Sequence, residues 1–143
     1  MSAKNTLKGE FVPKNPSKYT GKYPIIYRSS WELTAMRKFD SHPDVIAWAS
    51  ESIKIPYRNP ITGKGSMYVP DFLVIFEDKN GKRRQELVEV KPRSQTIVTE
   101  AKSKYDKISL AINLAKWKAA GSWCKKHGLV FRIINENEIY RRP

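Results

Sequence analysis

Apolar and polar positions change period along the chain, and the changes mark out its elements. From Ser29 to about Ser41, Glu32, Ala35, Met36 and Phe39 fall at i, i+3, i+4 and i+7, the spacing of one helical face. Ser29-Ser-Trp-Glu32 has the form of a capping box at its start, and Pro43 ends it. Val45-Ile-Ala-Trp48 is a short apolar run, and Ser52-Ile-Lys-Ile-Pro-Tyr57 alternates as a half-buried strand does. A turn-rich loop, Asn59 to Gly65, flanked by Arg58 and Lys64, joins that strand to a second over Met67–Phe76. Asp78-Lys-Asn-Gly81-Lys82 is a hairpin signal, and a third strand runs from about Arg84 to Lys91.

A long helical pattern follows from about Thr99 to Lys126. Its stripe is Tyr105, Ile108, Ile112, Ala115 and Ala119, broadened by Leu110, Leu114 and Trp117. Gly128 suits a C-cap, Leu129 to Ile134 reads as a buried last strand, and Asn135 to Tyr140 as a short terminal turn. The order helix, three-strand antiparallel meander, helix, strand predicts an α/β fold. With the last strand parallel to the third through a right-handed crossover, the central sheet is mixed and flanked by helices.

Residues 1–24 differ from the rest. They hold Lys4, Lys8, Lys14, Lys18 and Lys22 with Pro13, Pro16 and Pro24 and almost no aliphatic residues. This composition predicts an extended basic arm ahead of a domain spanning 25–143. Such an arm is either a solvated tail or a strap that follows a phosphate backbone or docks on a partner.

Charge narrows the partner. The 143 residues carry 27 Lys and Arg against 14 Asp and Glu, a formal net charge of +13. A polyanion is therefore the expected ligand, bound with strong salt dependence. Nucleic acid fits better than a membrane, because no basic amphipathic helix has a clean apolar face. A lone cysteine, Cys124, excludes an internal disulfide and a cysteine zinc cage. No signal peptide and no run long enough to span a bilayer is evident, so the chain reads as soluble and intracellular.

The candidate chemistry lies where ionisable residues interrupt the strands: Asp71, Glu89 and Lys91. With the loop centred near residue 80, the antiparallel partner of residue n is roughly 160 − n. Asp71 then opposes Glu89 on one face, with Cβ atoms about 5 Å apart, and Lys91 shares that face. Two facing carboxylates repel unless a cation lies between them. Magnesium suits hard oxygen ligands, and the backbone carbonyl of Val90 offers a third oxygen. A neighbouring ammonium can help deprotonate a water or stabilise phosphorane-like charge. A solvated hairpin with cross-strand ion pairs is the alternative. Glu32, on a largely apolar face, either reaches back to the Ser29 amide or joins the Asp71/Glu89 site. His42 and His127 both sit at helix ends and read as terminal residues rather than bases.

Pro70-Asp71 followed by Glu89-Val90-Lys91 on the next strand resembles the PD-(D/E)XK nuclease superfamily. Further segments carry a closer likeness: Phe11 to Tyr19, Tyr27-Arg-Ser-Ser-Trp-Glu32, His42-Pro-Asp-Val-Ile46, Ile55-Pro-Tyr57, Tyr68-Val-Pro-Asp-Phe72, Glu89-Val-Lys-Pro92 and Asn113-Leu-Ala-Lys-Trp117. Together they are similar to the head completion nucleases of large tailed phages, themselves similar to the N-terminal catalytic domain of the TnsA transposase endonuclease. The chain lacks the Gln-X-X-X-Tyr element of RecB-like nucleases, which leaves the role of the long helix open.

The resemblance implies a restriction-endonuclease-like core and a DNA endonuclease of phage head maturation. Its partners would be DNA and head, portal or neck proteins, its place the infected host cytoplasm or the virion head, and a homodimer is one arrangement for cutting two strands. It supports Asp71 and Glu89, with the Val90 carbonyl, as ligands of Mg2+ (Mn2+ as a substitute), Lys91 beside the attacking water, and Glu32 completing the site. Arg28, Arg93, Lys14, Lys18 and Lys22 are candidates for backbone phosphates. Asn113 and Lys116, one turn apart, face the DNA or the site, or Lys116 is simply solvated. A non-catalytic DNA-binding head or neck protein and a branched-DNA-resolving nuclease of the same fold are the rival readings.

Overall fold

The computed structural model describes residues 8–92 and 103–135. Its centre is a four-stranded sheet in the order β3-β6-β7-β8, from β3 (Val45–Ser50), β6 (Phe72–Glu77), β7 (Arg83–Val90) and β8 (Val130–Ile134). The first two junctions are antiparallel and β7–β8 is parallel, which gives the expected mixed sheet. The register of the β6–β7 hairpin, Phe72 opposite Val88 and Leu73 opposite Leu87, is the one the turn sequence predicts. Asp78 explains the tight turn: its carboxylate accepts from the amides of Asn80 (2.9 Å) and Lys82 (3.0 Å), while Gly81 takes a φ of 80°.

Helices cover both faces. Helix α1 (Ser30–Ser41) is capped by Ser29, whose hydroxyl accepts from the Glu32 amide at 3.1 Å. It buries Ala35, Met36 and Phe39 against Val45, Trp48, Phe72, Val74, Val88 and Val90. Trp48 is the hub of this layer, with the Tyr19, Phe11 and Phe39 rings 4.7, 5.8 and 5.9 Å from it, centre to centre. Helix α2 (Lys104–His127) starts at Ser103, ends at Gly128 (φ 74°), and covers the other face. No described helix is long and apolar enough to cross a membrane.

Three expectations change. The stripe of α2 that enters the core is Leu110, Trp117, Ala120 and Cys124, while Tyr105 and Leu114 are exposed. The bulk of Leu110 and Trp117, two turns apart, sets the helix rotation. The sheet strand preceding β6 is the short apolar run at Val45, not the alternating run at Ser52. The latter gives β4 (Ile55–Arg58), which pairs with β5 (Gly65–Tyr68) in a separate two-stranded ribbon. The expected Met67–Phe76 strand is accordingly broken in two at Val69-Pro70-Asp71, since Pro70 offers no N–H to a ladder.

The basic segment before residue 25 is also fastened to the core in part. Strand β1 (Gly9–Phe11) pairs with β2 (Ile25–Tyr27), and Phe11 and Tyr19 are buried. The buried Asp40 carboxylate accepts from the amides of Lys14 (2.9 Å) and Asn15 (3.0 Å). Amino-acid composition hid this, because two aromatic rings and one carboxylate suffice to hold a chain poor in aliphatics.

Candidate active site

The break at Pro70 creates the site. Asp71 stands just ahead of β6, and continuing the hairpin register places it opposite Glu89 near the end of β7. Its carboxylate accepts from the Val90 amide at 2.8 Å, and its carbonyl accepts from the Glu51 amide at 2.9 Å. Asp71 is thus held at both main chain and side chain. Glu89 points to the α2 face and is 6% exposed. Lys91 lies two residues on, with its amide bound to the Ile134 carbonyl (3.0 Å) and its ammonium 3.8 Å from the Glu89 carboxylate.

One oxygen of Glu89, Oε1, is buried without a hydrogen-bond partner among the described residues. The Tyr68 hydroxyl and the Trp117 indole N–H share that condition. Tyr68 lies beside Glu89 and Trp117 beside Tyr68, close enough to interact electrostatically yet outside hydrogen-bond geometry. Lys116 completes this wall, its ammonium 5.7 Å from the Tyr68 ring centre and 5.9 Å from that of Tyr57.

The electrostatics follow from burial and like charge. Burial, then Glu89 and Glu32, raise the Asp71 carboxyl well above the usual carboxylate range, against the Val90 amide and Lys91. Burial also raises Glu89, with Lys91 the chief opposing influence. Glu32 is raised by burial and held down by the Arg28 amide. Burial and like charge thus disfavour the ionised forms of these carboxyls, which a nearby cation would favour. Among the described residues no three His, Cys, Asp or Glu converge into a ready-made metal cage. Two carboxylates with one orphaned oxygen instead suit a hard divalent ion that keeps much of its water.

Of the sequence candidates, Asp71, Glu89 and Lys91 come together, and the charge of Glu32 acts on Asp71. Glu32 also serves the helix start: its carboxylate accepts from the Arg28 amide (3.2 Å) and the Ser29 hydroxyl (3.4 Å). The amide it reaches is thus that of Arg28 rather than of Ser29, and towards Asp71 it acts through its charge. Arg28 lies at the rim, its guanidinium paired with Glu51 at 3.1 Å. Lys14 and Lys18 are fastened near the other end of α1, at Asp40 and His42, roughly 12 Å along the axis from Glu32. Lys22 is exposed, and Arg93 lies outside the described residues. His42 accepts from the Asp44 amide, and His127 stacks on Trp123 at 4.0 Å, so both are occupied at helix ends.

Sequence reasoning missed Glu51 and Tyr68. Glu51 adopts a left-handed φ of 50°, a strained backbone for a non-glycine residue. Nothing local in the sequence announces that. Tyr68 looked like an ordinary strand aromatic until the strand broke after it.

Comparison with known proteins agrees with this architecture. The chain matches the N-terminal domain of TnsA-like endonucleases over residues 42–136, a span that contains Asp71, Glu89 and Lys91 and begins after Glu32. It is also 36% identical over 142 residues to the head completion nuclease of Enterobacteria phage T4, with 92% of each chain covered. With more than half of its length matched and the mixed sheet between two helices in place, the chain belongs to the TnsA-like endonuclease N-terminal family and has a restriction-endonuclease-like core.

Proposed function

We propose that this protein is a divalent-cation-dependent DNA endonuclease that acts in phage head completion. The observation that carries the reading is the Asp71/Glu89 pair, a half-buried and a buried carboxylate opposed in register, with an orphaned Glu89 oxygen and the Lys91 ammonium 3.8 Å away. A DNA substrate agrees with the formal charge of +13, and the phage setting comes from the T4 relative's name.

Asp71 and Glu89, with the Val90 carbonyl, would hold Mg2+ or Mn2+. A bound divalent ion supplies Lewis acidity at the phosphate and a water of lowered pKa. The chain supplies the rest. Lys91 orients the attacking water and offsets the charge that grows on the phosphate oxygens. Water adds to phosphorus, the bond to the leaving sugar oxygen breaks, and the proton lost by the water is balanced by one gained at that oxygen. Glu32, whose like charge raises the Asp71 carboxyl, would complete the site as a ligand through water or for a second ion. Arg28, Arg93, Lys116 and the lysines at 14, 18 and 22 are the phosphate contacts of this reading, which position DNA without reading its sequence. Head, portal or neck proteins are the partners and the infected cell the setting; pairing of two copies would cut both strands.

The test is incubation of supercoiled and branched DNA with magnesium, manganese or EDTA, alongside Asp71→Ala and Glu89→Ala. Cutting that needs metal and disappears in both variants is the expected result. DNA binding without cutting under any metal would overturn the reading and leave a non-catalytic head protein.

A further inference from the structure

The β4–β5 ribbon has features that neither the sheet nor the carboxylate site requires. From Ser52 to Pro70 the sequence contains no acidic residue, while Lys54, Arg58 and Lys64 are all exposed. None of the three has an acidic partner among the described residues; Arg58 donates only to the Gly63 carbonyl, at 2.6 Å. The hairpin at the opposite end of the sheet differs, because its Arg83 and Arg84 are paired with Glu77 and Glu86, each at 2.6 Å.

The tip of the ribbon is pre-organised. The Asn59 side chain accepts from the amides of Ile61 (2.8 Å) and Thr62 (3.3 Å), and Asn59 exchanges main-chain bonds with Gly63 and Lys64. Gly63 supplies the positive φ of 74° that closes the loop. This ordered loop holds Ile61 outward at 53% exposure. Met67, on the outer face opposite Pro56, is similarly exposed. The inner face is anchored, with Ile55, Tyr57 and Tyr68 packed on α2 and the Lys116 ammonium over the two tyrosine rings. The return strand leads through Val69 and Pro70 directly into Asp71.

We propose that the β4–β5 ribbon grips the duplex beside the cleaved bond. Lys54, Arg58 and Lys64 contact phosphates, and Ile61 at the rigid tip packs into the adjoining groove. Four paired residues and the loop reach roughly 15 Å, the length of about four phosphates along one strand. Apolar tips of this kind contact base steps in minor-groove binders. The inference rests on the DNA-endonuclease reading but concerns affinity, which is measurable without cleavage.

Binding of a fluorescent duplex in EDTA, across a salt series, tests it. The variants are Arg58→Ala/Lys64→Ala, Ile61→Ser, and a control of equal charge, Lys125→Ala/Lys126→Ala, on the last turn of α2 at the far end of the sheet. The ribbon pair is expected to lose about tenfold in affinity, with the slope of log K against log salt reduced by about 2. The control should hold both near wild type, and Ile61→Ser should lose about threefold with the slope unchanged. Melting curves confirm that each variant folds. A ribbon pair with wild-type slope, or a control that loses as much, would overturn the grip; unchanged affinity in Ile61→Ser would overturn the tip contact. DNA held through the ribbon but never cut in magnesium would sink the endonuclease reading and spare the grip. Cutting with normal affinity after the ribbon change would do the reverse.

Discussion

Glu86 and Glu89 sit three residues apart on β7, 3% and 6% exposed, and their surroundings are opposite. Glu86 is held between two guanidiniums, Arg84 at 2.6 Å and Arg132 at 3.0 Å. Glu89 faces a second carboxylate, keeps one oxygen without a partner, and has its ammonium neighbour at the edge of contact. One buried acid is bound by two guanidiniums; the other has a single, longer ion pair and an oxygen without a partner. Burial therefore does not distinguish a structural acid from a chemical one, whereas the state of its partners does.

The sharpest way to break that contrast is Glu89→Gln, which keeps shape and burial while removing the charge. Metal-dependent cleavage should fall about a thousandfold or more, while the metal-free protein melts no lower than wild type. Cleavage assays beside melting curves would show it, and a Glu89→Gln protein that cuts normally would place Glu89 with Glu86 as merely structural. The mirror experiment is Glu86→Ala. It should cost about 2 kcal/mol in chemical denaturation, less than a fully buried pair because both guanidiniums reach solvent. Metal-dependent cutting by the folded fraction should persist.

A smaller effect reads the facing carboxylates, Asp71 and Glu89, by pH. The Asp71 and Glu89 carboxyls are raised, so the metal-free fold is favoured below the ordinary carboxylate range and loses that stability as pH rises through the elevated values. Asp71→Asn should match wild type near pH 4 and exceed it by about 1 kcal/mol near pH 8. Added magnesium should close the gap by stabilising wild type alone. A gap that is constant with pH would mean that neither burial nor like charge raises the Asp71 carboxyl. Smallest is Tyr68→Phe, which removes the hydroxyl beside Glu89. It should lower kcat about threefold, leave KM and melting temperature near wild type, and shift the acid limb of the pH–rate profile.

Much of this contrast was legible from the chain. The hairpin register that sets Asp71 against Glu89 depends on a local turn and on β-branched alternation, both of which a sequence displays. The parallel last strand followed from the length of the intervening helix. Which of two neighbouring runs joins the sheet was not legible, since the apolar Val45–Trp48 and the alternating Ser52–Tyr57 both have strand patterns and both precede the hairpin. Only the break at Pro70, a long-range matter of which ladder Tyr68 and Phe72 each complete, decides it. Glu51 was invisible for a related reason: its place depends on a main-chain bond to Asp71, twenty residues away. The attachment of the N-terminal segment escaped because it depends on one carboxylate, Asp40, offering both oxygens to main-chain amides.

The amide of Val90, bound to the Asp71 carboxylate at 2.8 Å, has a consequence of its own. Its proton hangs on an acceptor whose charge varies with what fills the site, so its exchange with solvent deuterium is a built-in gauge. Filling of the site should slow that exchange far more than at Leu87, whose position in the interior of β7 leaves it indifferent to the state of Asp71.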